Sequence, residues 1–186
     1  IVKKERRHQR LMDFRTRPLT RIQVRNLSCI LRTLFDISLT GPFPILQLLD
    51  RISEVFPGSR YEIVDDSQMP ASTMANCKAN EDGGYTIVIK DSVYDGAYRC
   101  GSGACLGFIC HELCHVFLFF IGFTPIFERS FENNILPAYC SVEWQAKALC
   151  GELMIPYEES KGLTSKEIQR KYGVSKGFAK TRLRLR

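Results

Sequence analysis

The residues that most constrain this chain are His111-Glu112-Leu113-Cys114-His115. They sit within an apolar stretch, residues 105–122, that holds Leu106, Phe108, Ile109, Val116, Phe117 and Leu118 and no proline. Such a stretch predicts a largely buried helix. On a helix, residues four apart share a face. His111 and His115 then stand about 40° apart around the axis, and two imidazoles on adjacent turns can grip one metal ion. Glu112 lies on the flank of the pair, where it reaches a water rather than the metal. An ion set into an apolar helix is shielded from competing solvent.

The pattern H-E-x-x-H is that of zinc peptidases. Two histidines do not complete such a site, because a catalytic zinc takes three protein ligands. The one further histidine, His8, lies in a basic N-terminal stretch, so the third ligand is expected to be a carboxylate or a thiolate. The acids downstream, before the Glu158-Glu159 pair, are Glu128, Glu132, Glu143 and Glu152. Glu128 and Glu132 fall in a poorly patterned connection, 124–136, expected to form a loop at the mouth of the site. Glu143 falls among Val142, Trp144, Ala146, Ala148, Leu149 and Leu153. A carboxylate there needs a partner if it is buried, and a metal supplies one; a surface position on that helix is the alternative. Cys114 is a rival ligand, about 60° around the helix from His111.

Helical periodicity is expected over 22–35 with Thr20 as N-cap, over 45–55, over 138–153, and over 165–172 and 175–184 either side of Gly173. Strands are expected at 61–65, 74–78 and 85–90, the last two joined by Asn80-Glu81-Asp82-Gly83-Gly84, which contains the hairpin signal Asp-Gly. Residues 91–100 fit neither pattern cleanly. The order is helices, a small antiparallel sheet, then helices, an α+β arrangement. The expected units are a basic arm over 1–18, a main domain over 19–160 and a basic helix-turn-helix-like segment over 161–186.

The net charge of +6 is unevenly spread: nine Lys/Arg against two acids in residues 1–25, nine against one in 161–186, and a net of −9 between them. Basic ends on an acidic body suit contact with nucleic acid or an acidic partner, or two solvated termini. The eight cysteines contain no C-x-x-C, which disfavours a zinc ribbon or a thioredoxin-type site. The chain is too long and apolar to need a disulfide scaffold. Most cysteines fall in apolar helical patterns, as free thiols do, so a reducing, cytoplasmic setting is expected. No unbroken run of 18 apolar residues occurs, so no membrane-spanning helix is expected, and the first residues lack the apolar core of a signal peptide.

Three blocks together resemble the ImmA/IrrE-type zinc metallopeptidases, a zincin-like family: Phe108 through His115; Glu143-Trp144-Gln145-Ala146 through Leu153-Met154-Ile155-Pro156; and the lead-in from Asp91 to Ala97 with its glycine-rich join to the metal helix. Arg17-Pro18-Leu19 and Ile63-Val64-Asp65-Asp66 are also similar, so the likeness spans most of residues 17–184. It implies His111, His115 and Glu143 as zinc ligands and Glu112 as general base. It further implies a cytoplasmic endopeptidase that acts on a helix-turn-helix repressor of a mobile element. The chain departs from the family at Cys114, where glycine is usual, and at Gln145 and Lys147, which replace the more usual Glu and Asn. Substrate-binding candidates are the 85–90 strand, through Tyr85, Ile87 and Ile89 and by strand addition, and Tyr139 as an oxyanion donor. The alternative to proteolysis is a zinc-binding sensor that acts by binding the repressor or DNA.

Overall fold

The run Tyr85-Thr86-Ile87-Val88-Ile89-Lys90 shows no polar alternation, which suits a strand covered on both faces. The computed structural model describes residues 13–126 and 136–184. In it this run is the middle of a three-stranded sheet of β1 (Arg60–Val64), β2 (Ala75–Ala79) and β3 (Tyr85–Lys90), in the order β1-β3-β2. Residues 86–90 of β3 are all buried. The Asn80–Gly84 joint is a hairpin as expected: Gly83 and Gly84 take positive φ, and Asn80 N–H donates to Gly84 O at 3.1 Å. Only glycine fits at 84, since a Cβ there would lie 2.3 Å from the Gly58 carbonyl carbon.

The sheet is mixed rather than antiparallel. β2 runs antiparallel to β3, with Cys77 opposite Ile87, but β1 runs parallel to it, with Tyr61 opposite Ile87. The chain after β1 crosses to the far edge before making the hairpin. β3 therefore returns between the other two strands, in the direction of β1.

The described residues form eight α-helices around this sheet. α1 (Arg21–Leu34) opens on a capping box between Thr20 and Gln23, the local signal for a helix start. The expected helix over 45–55 is two short ones, α2 (Ile45–Asp50) and α3 (Ile52–Val55), because the backbone leaves helical geometry at Arg51. The ambiguous stretch after β3 is a helix, α4 (Asp91–Tyr98). α5 (Gly103–Phe120) carries the H-E-x-x-H residues and is N-capped by Ser102. α6 (Val142–Met154) is N-capped by Ser141. α7 (Ser165–Tyr172) and α8 (Lys176–Arg184) meet at Gly173, which takes φ +65°.

α5 is long and apolar enough to cross a bilayer by length and composition, yet half of it is buried in protein. Ile109, Leu113, Val116, Phe117 and Leu118 on it are at most 1% exposed. It is the central core helix, and the polar residues His111, Glu112 and His115 interrupt what would otherwise read as an unbroken apolar run.

The two ends are built into this core. Ile168, Tyr172, Val174 and Ala179 of the C-terminal segment belong to the same buried cluster as Leu113 and Leu149. The first turn of α5 presses on the α7–α8 turn so closely that a Cβ at Gly103 would lie 2.5 Å from Gly173 O. Residues 13–18, expected in a loose arm, lie across the start of α6. Arg15 bridges to Ile126 and Ser141, and Thr16 N–H donates to Cys140 O at 2.8 Å. The rest of that arm, residues 1–12, lies outside the described residues.

Candidate metal centre

α5 and α6 pack side by side, and their facing surfaces bring three ligating groups to one point. His115 Nε2 lies 3.2 Å from Glu143 Oε1, His111 Nε2 lies 3.5 Å from Glu143 Oε2, and the two Nε2 atoms are 3.2 Å apart. A tetrahedral zinc with bonds of about 2.0–2.1 Å separates its ligand atoms by about 3.3 Å. With one oxygen taken from Glu143, the three ligand atoms lie within 4.8 Å of one another, near the spacing such an ion needs. Two imidazole nitrogens and a carboxylate oxygen at such spacing, all lone-pair donors, need a positive charge among them.

Electrostatics says the same. Hydrogen bonds from His111 and His115 hold the Glu143 carboxyl well below the usual range. Burial works against charge on both imidazoles. At His111 it is outweighed by Glu143 and Glu112, so that pKa is raised; at His115 burial wins and the pKa falls. Lys147 Nζ also reaches Glu143 Oε2 at 3.2 Å, one turn further on.

The N-terminus of α6 holds Glu143 in place. Asp13 accepts from Ser141 Oγ at 2.5 Å and from the Glu143 backbone N–H at 3.2 Å. An acid at a helix start satisfies otherwise orphaned N–H groups and suits the helix dipole. Gln145 is fully buried and donates to Arg17 O and Tyr139 O at 2.7 and 2.8 Å, tying the same N-terminal strip to α6. No sequence pattern marks Asp13, and Gln145 stands out only as a departure from the family block, not as a tie to the N-terminal strip. Asp13 is a lone acid among bases, and its partner lies 128 residues away.

Glu112 is not one of the three converging groups, lies near enough to His111 and Glu143 to feel their charges, and is 9% exposed. Burial raises its pKa to about 7, against the opposing effects of His111 and a hydrogen bond from the Cys77 backbone. A carboxyl poised near neutrality suits a proton acceptor. His115 Nδ1 is buried with no hydrogen-bond partner among the described residues. Metal-ligating histidines usually donate that N–H to a carboxylate or carbonyl, so this is where the site is least supported.

The other candidates separate. Ile87 and Ile89 are fully buried, and β3 is paired along both edges, so neither they nor Tyr85 can add a substrate strand. The edge strands of the sheet are β1 and β2, and Cys77 of β2 contacts Glu112. Tyr139 is 49% exposed; its carbonyl accepts bonds from Leu19 and Gln145, and nothing directs its hydroxyl to the triad. Glu128 and Glu132 lie outside the described residues. Glu152 is committed elsewhere, to Arg182 and Arg25. Cys114 does not join the histidines; it faces Cys110 and Cys150.

Beside His111 opens a cavity of about 600 Å³, walled by Phe108, Trp144, Cys150, Phe178 and Arg182 among others. Phe108 and Trp144 are legible in the sequence as members of apolar helices, but the cavity is not, since it depends on how α8 seats against α5 and α6. All eight cysteines are free thiols. No protein-family model matches the chain, and no curated protein sequence matches it.

Proposed function

We propose that the chain is a zinc-dependent endopeptidase of the zincin-like type. The observation that carries this reading is the convergence of His111, His115 and Glu143 at 3.2–3.5 Å, with Glu112 on the flank. When bound, zinc supplies a Lewis acid that polarises the scissile carbonyl and makes water a better nucleophile. The protein's own residues do the rest. His111, His115 and Glu143 would hold the ion, and Asp13 fixes the turn that presents Glu143. Glu112 takes the proton of the attacking water at its carboxylate and delivers it to the leaving amine. The free edge of β2 aligns an extended peptide by backbone hydrogen bonds. The cavity beside His111, with Phe108, Trp144 and Phe178 on its wall, takes an apolar side chain next to the scissile bond.

The resemblance to the ImmA/IrrE-type family supplies the substrate class: a helix-turn-helix repressor of a mobile element, cut in the cytoplasm. The test is to incubate the zinc-loaded full chain with the repressor encoded beside its gene and to identify fragments by mass spectrometry. Cleavage that stops on chelation and in Glu112→Gln supports the reading. Intact repressor in complex with zinc-loaded protein supports the sensor alternative instead.

A nucleic-acid contact has one specific feature in its favour. α8 turns Ala179 and Arg182 inward and leaves Lys176, Lys180 and Arg184 exposed at four-residue spacing. Such a stripe suits phosphate contacts. A mobility shift that is absent even at low salt removes it.

A further inference from the structure

The helices that build the His-His-Glu triad carry a second ligand set one residue over. Cys110 and Cys114 stand in α5 beside His111 and His115, at the same four-residue spacing. Cys150 stands in α6, two turns after Glu143 and on nearly the same face. The three sulfur atoms lie within 4.8 Å of one another, and all three residues are buried. Cys150 Sγ is also 3.7 Å from the sulfur of Met154, which is 2% exposed.

We infer that Cys110, Cys114 and Cys150, with Met154 at the edge, form a separate site for a soft monovalent d10 cation, Cu(I). Three thiolates around a trigonal ion with a thioether beside them is a soft, all-sulfur donor set, which selects Cu(I). Zinc fits it less well: a closed zinc site takes four nitrogen, thiolate or carboxylate ligands, and only three such groups are here.

Charge and access agree with this occupant. Thiols that bind a metal release their protons to solvent, so a Cu(I) tris-thiolate is an anion in the core. Arg32 lies close enough for its charge to act on Cys110. Its guanidinium is 0% exposed and bonded only to the carbonyls of Leu153, Ser38 and Gly41, with no carboxylate partner among the described residues. A buried cation without a counter-charge is costly, and an anionic cluster supplies one. Cys150 lines the 600 Å³ cavity that also reaches His111, which gives the ion a path inward. The two sites share α5 and α6, so filling the sulfur site fixes the spacing of the helices that hold His111, His115 and Glu143.

The test uses the zinc-loaded full chain with the exposed thiols removed by Cys29→Ser and Cys100→Ser. It is titrated anaerobically with Cu(I) against a chromogenic Cu(I) chelator. The expected result is one equivalent held against the chelator, zinc retained, and a copper absorption-edge spectrum with sulfur as the sole ligand atom. Cys150→Ala should lose that equivalent and keep its zinc. Cys114→Ala is the second variant, read the same way if circular dichroism shows the first to be unfolded. The absorption-edge spectrum of the parent decides if neither folds. The inference is overturned if no equivalent is held, if nitrogen appears in the copper shell, if Cu(I) displaces zinc, if a second zinc holds the thiols against Cu(I), or if the folded cysteine variants bind as the parent does.

Discussion

α6 carries two glutamates nine residues apart, and the protein treats them in opposite ways. Nine residues turn the helix by about 900°, which puts Glu143 and Glu152 on opposite faces. Glu152 is 1% exposed and receives both guanidinium nitrogens of Arg182 at 2.8 and 2.5 Å, with Arg25 Nε at 3.3 Å. Glu143 keeps 40% of its side chain exposed and is met by two imidazoles and Lys147. Guanidinium is charged at every accessible pH and matches a carboxylate fork. Imidazole is mostly neutral at neutral pH and then offers a lone pair instead. Glu152 is therefore satisfied by the protein alone and latches α8 to the core. Glu143 belongs to a set of donors that is complete only around a cation. Burial of a carboxylate is not what separates the candidate metal ligand from the structural one here. The chemistry of its partners does.

The comparison breaks most visibly at the chemistry. Glu112→Gln should lower peptide hydrolysis by about 10²–10⁴-fold with zinc retained; undiminished cleavage by the zinc-loaded variant would remove Glu112 as the base. Next in size is the latch. Glu152→Ala or Arg182→Ala leaves a charge buried without its partner and should cost about 3–5 kcal/mol in urea unfolding, while the folded fraction still binds zinc. Glu143→Ala should do the reverse, losing zinc with little loss of fold.

The pH dependence of the metal-free protein separates two acids of the site by sign. Glu112 has its folded pKa raised from 4.5 to about 7 by burial, so the folded state binds more protons than the unfolded state between those values. Its contribution is full below about pH 4.5 and is lost as pH rises through 7, a span of roughly 3 kcal/mol at most. Glu112→Gln should thus stabilise the metal-free protein at pH 8 and leave it unchanged near pH 4. Glu143 is shifted down; its contribution is present above the unfolded carboxyl pKa and is lost as pH falls through the folded one. Urea midpoints across pH for the two variants should move in opposite senses. The smallest effect is expected at Tyr139→Phe. With nothing directing that hydroxyl to the triad, the hydrolysis rate should change by less than about twofold, against the 10²–10³-fold expected of an oxyanion donor.

Local signals carried the parts of this account that depend on local physics. The four-residue spacing of His111 and His115, the β-branched run 85–90, the Asp-Gly hairpin and the Thr20 cap are all recorded within a few neighbouring residues, and each stands in the structure as read. An acid in an apolar helix demands a partner, which singles out Glu143 and Glu152 alike; that the partners are imidazoles at Glu143 and Arg182 at Glu152 is decided by packing. The errors came where long-range packing decides. No pattern within β1 says which way it runs beside β3, and an apolar run looks alike whether it lies at an edge or in the middle of a sheet. That is why Tyr85, Ile87 and Ile89 suggest an open strand edge in the sequence, whereas β3 is paired on both sides and the edges are β1 and β2. Asp13 and Gln145 act on residues that the sequence does not place beside them. Cys114 looked like a substitution next to the histidines; it is one corner of a sulfur cluster whose third corner, Cys150, comes from another helix.

The most direct test of the central claim is the zinc content of the purified chain after equilibrium dialysis, compared among wild type, Glu143→Ala and Glu152→Gln. One zinc per chain in the wild type and in folded Glu152→Gln, and none in folded Glu143→Ala, is the predicted result. A wild type that holds no zinc, or a Glu143→Ala variant that holds it as tightly as wild type, would contradict the His111–His115–Glu143 centre.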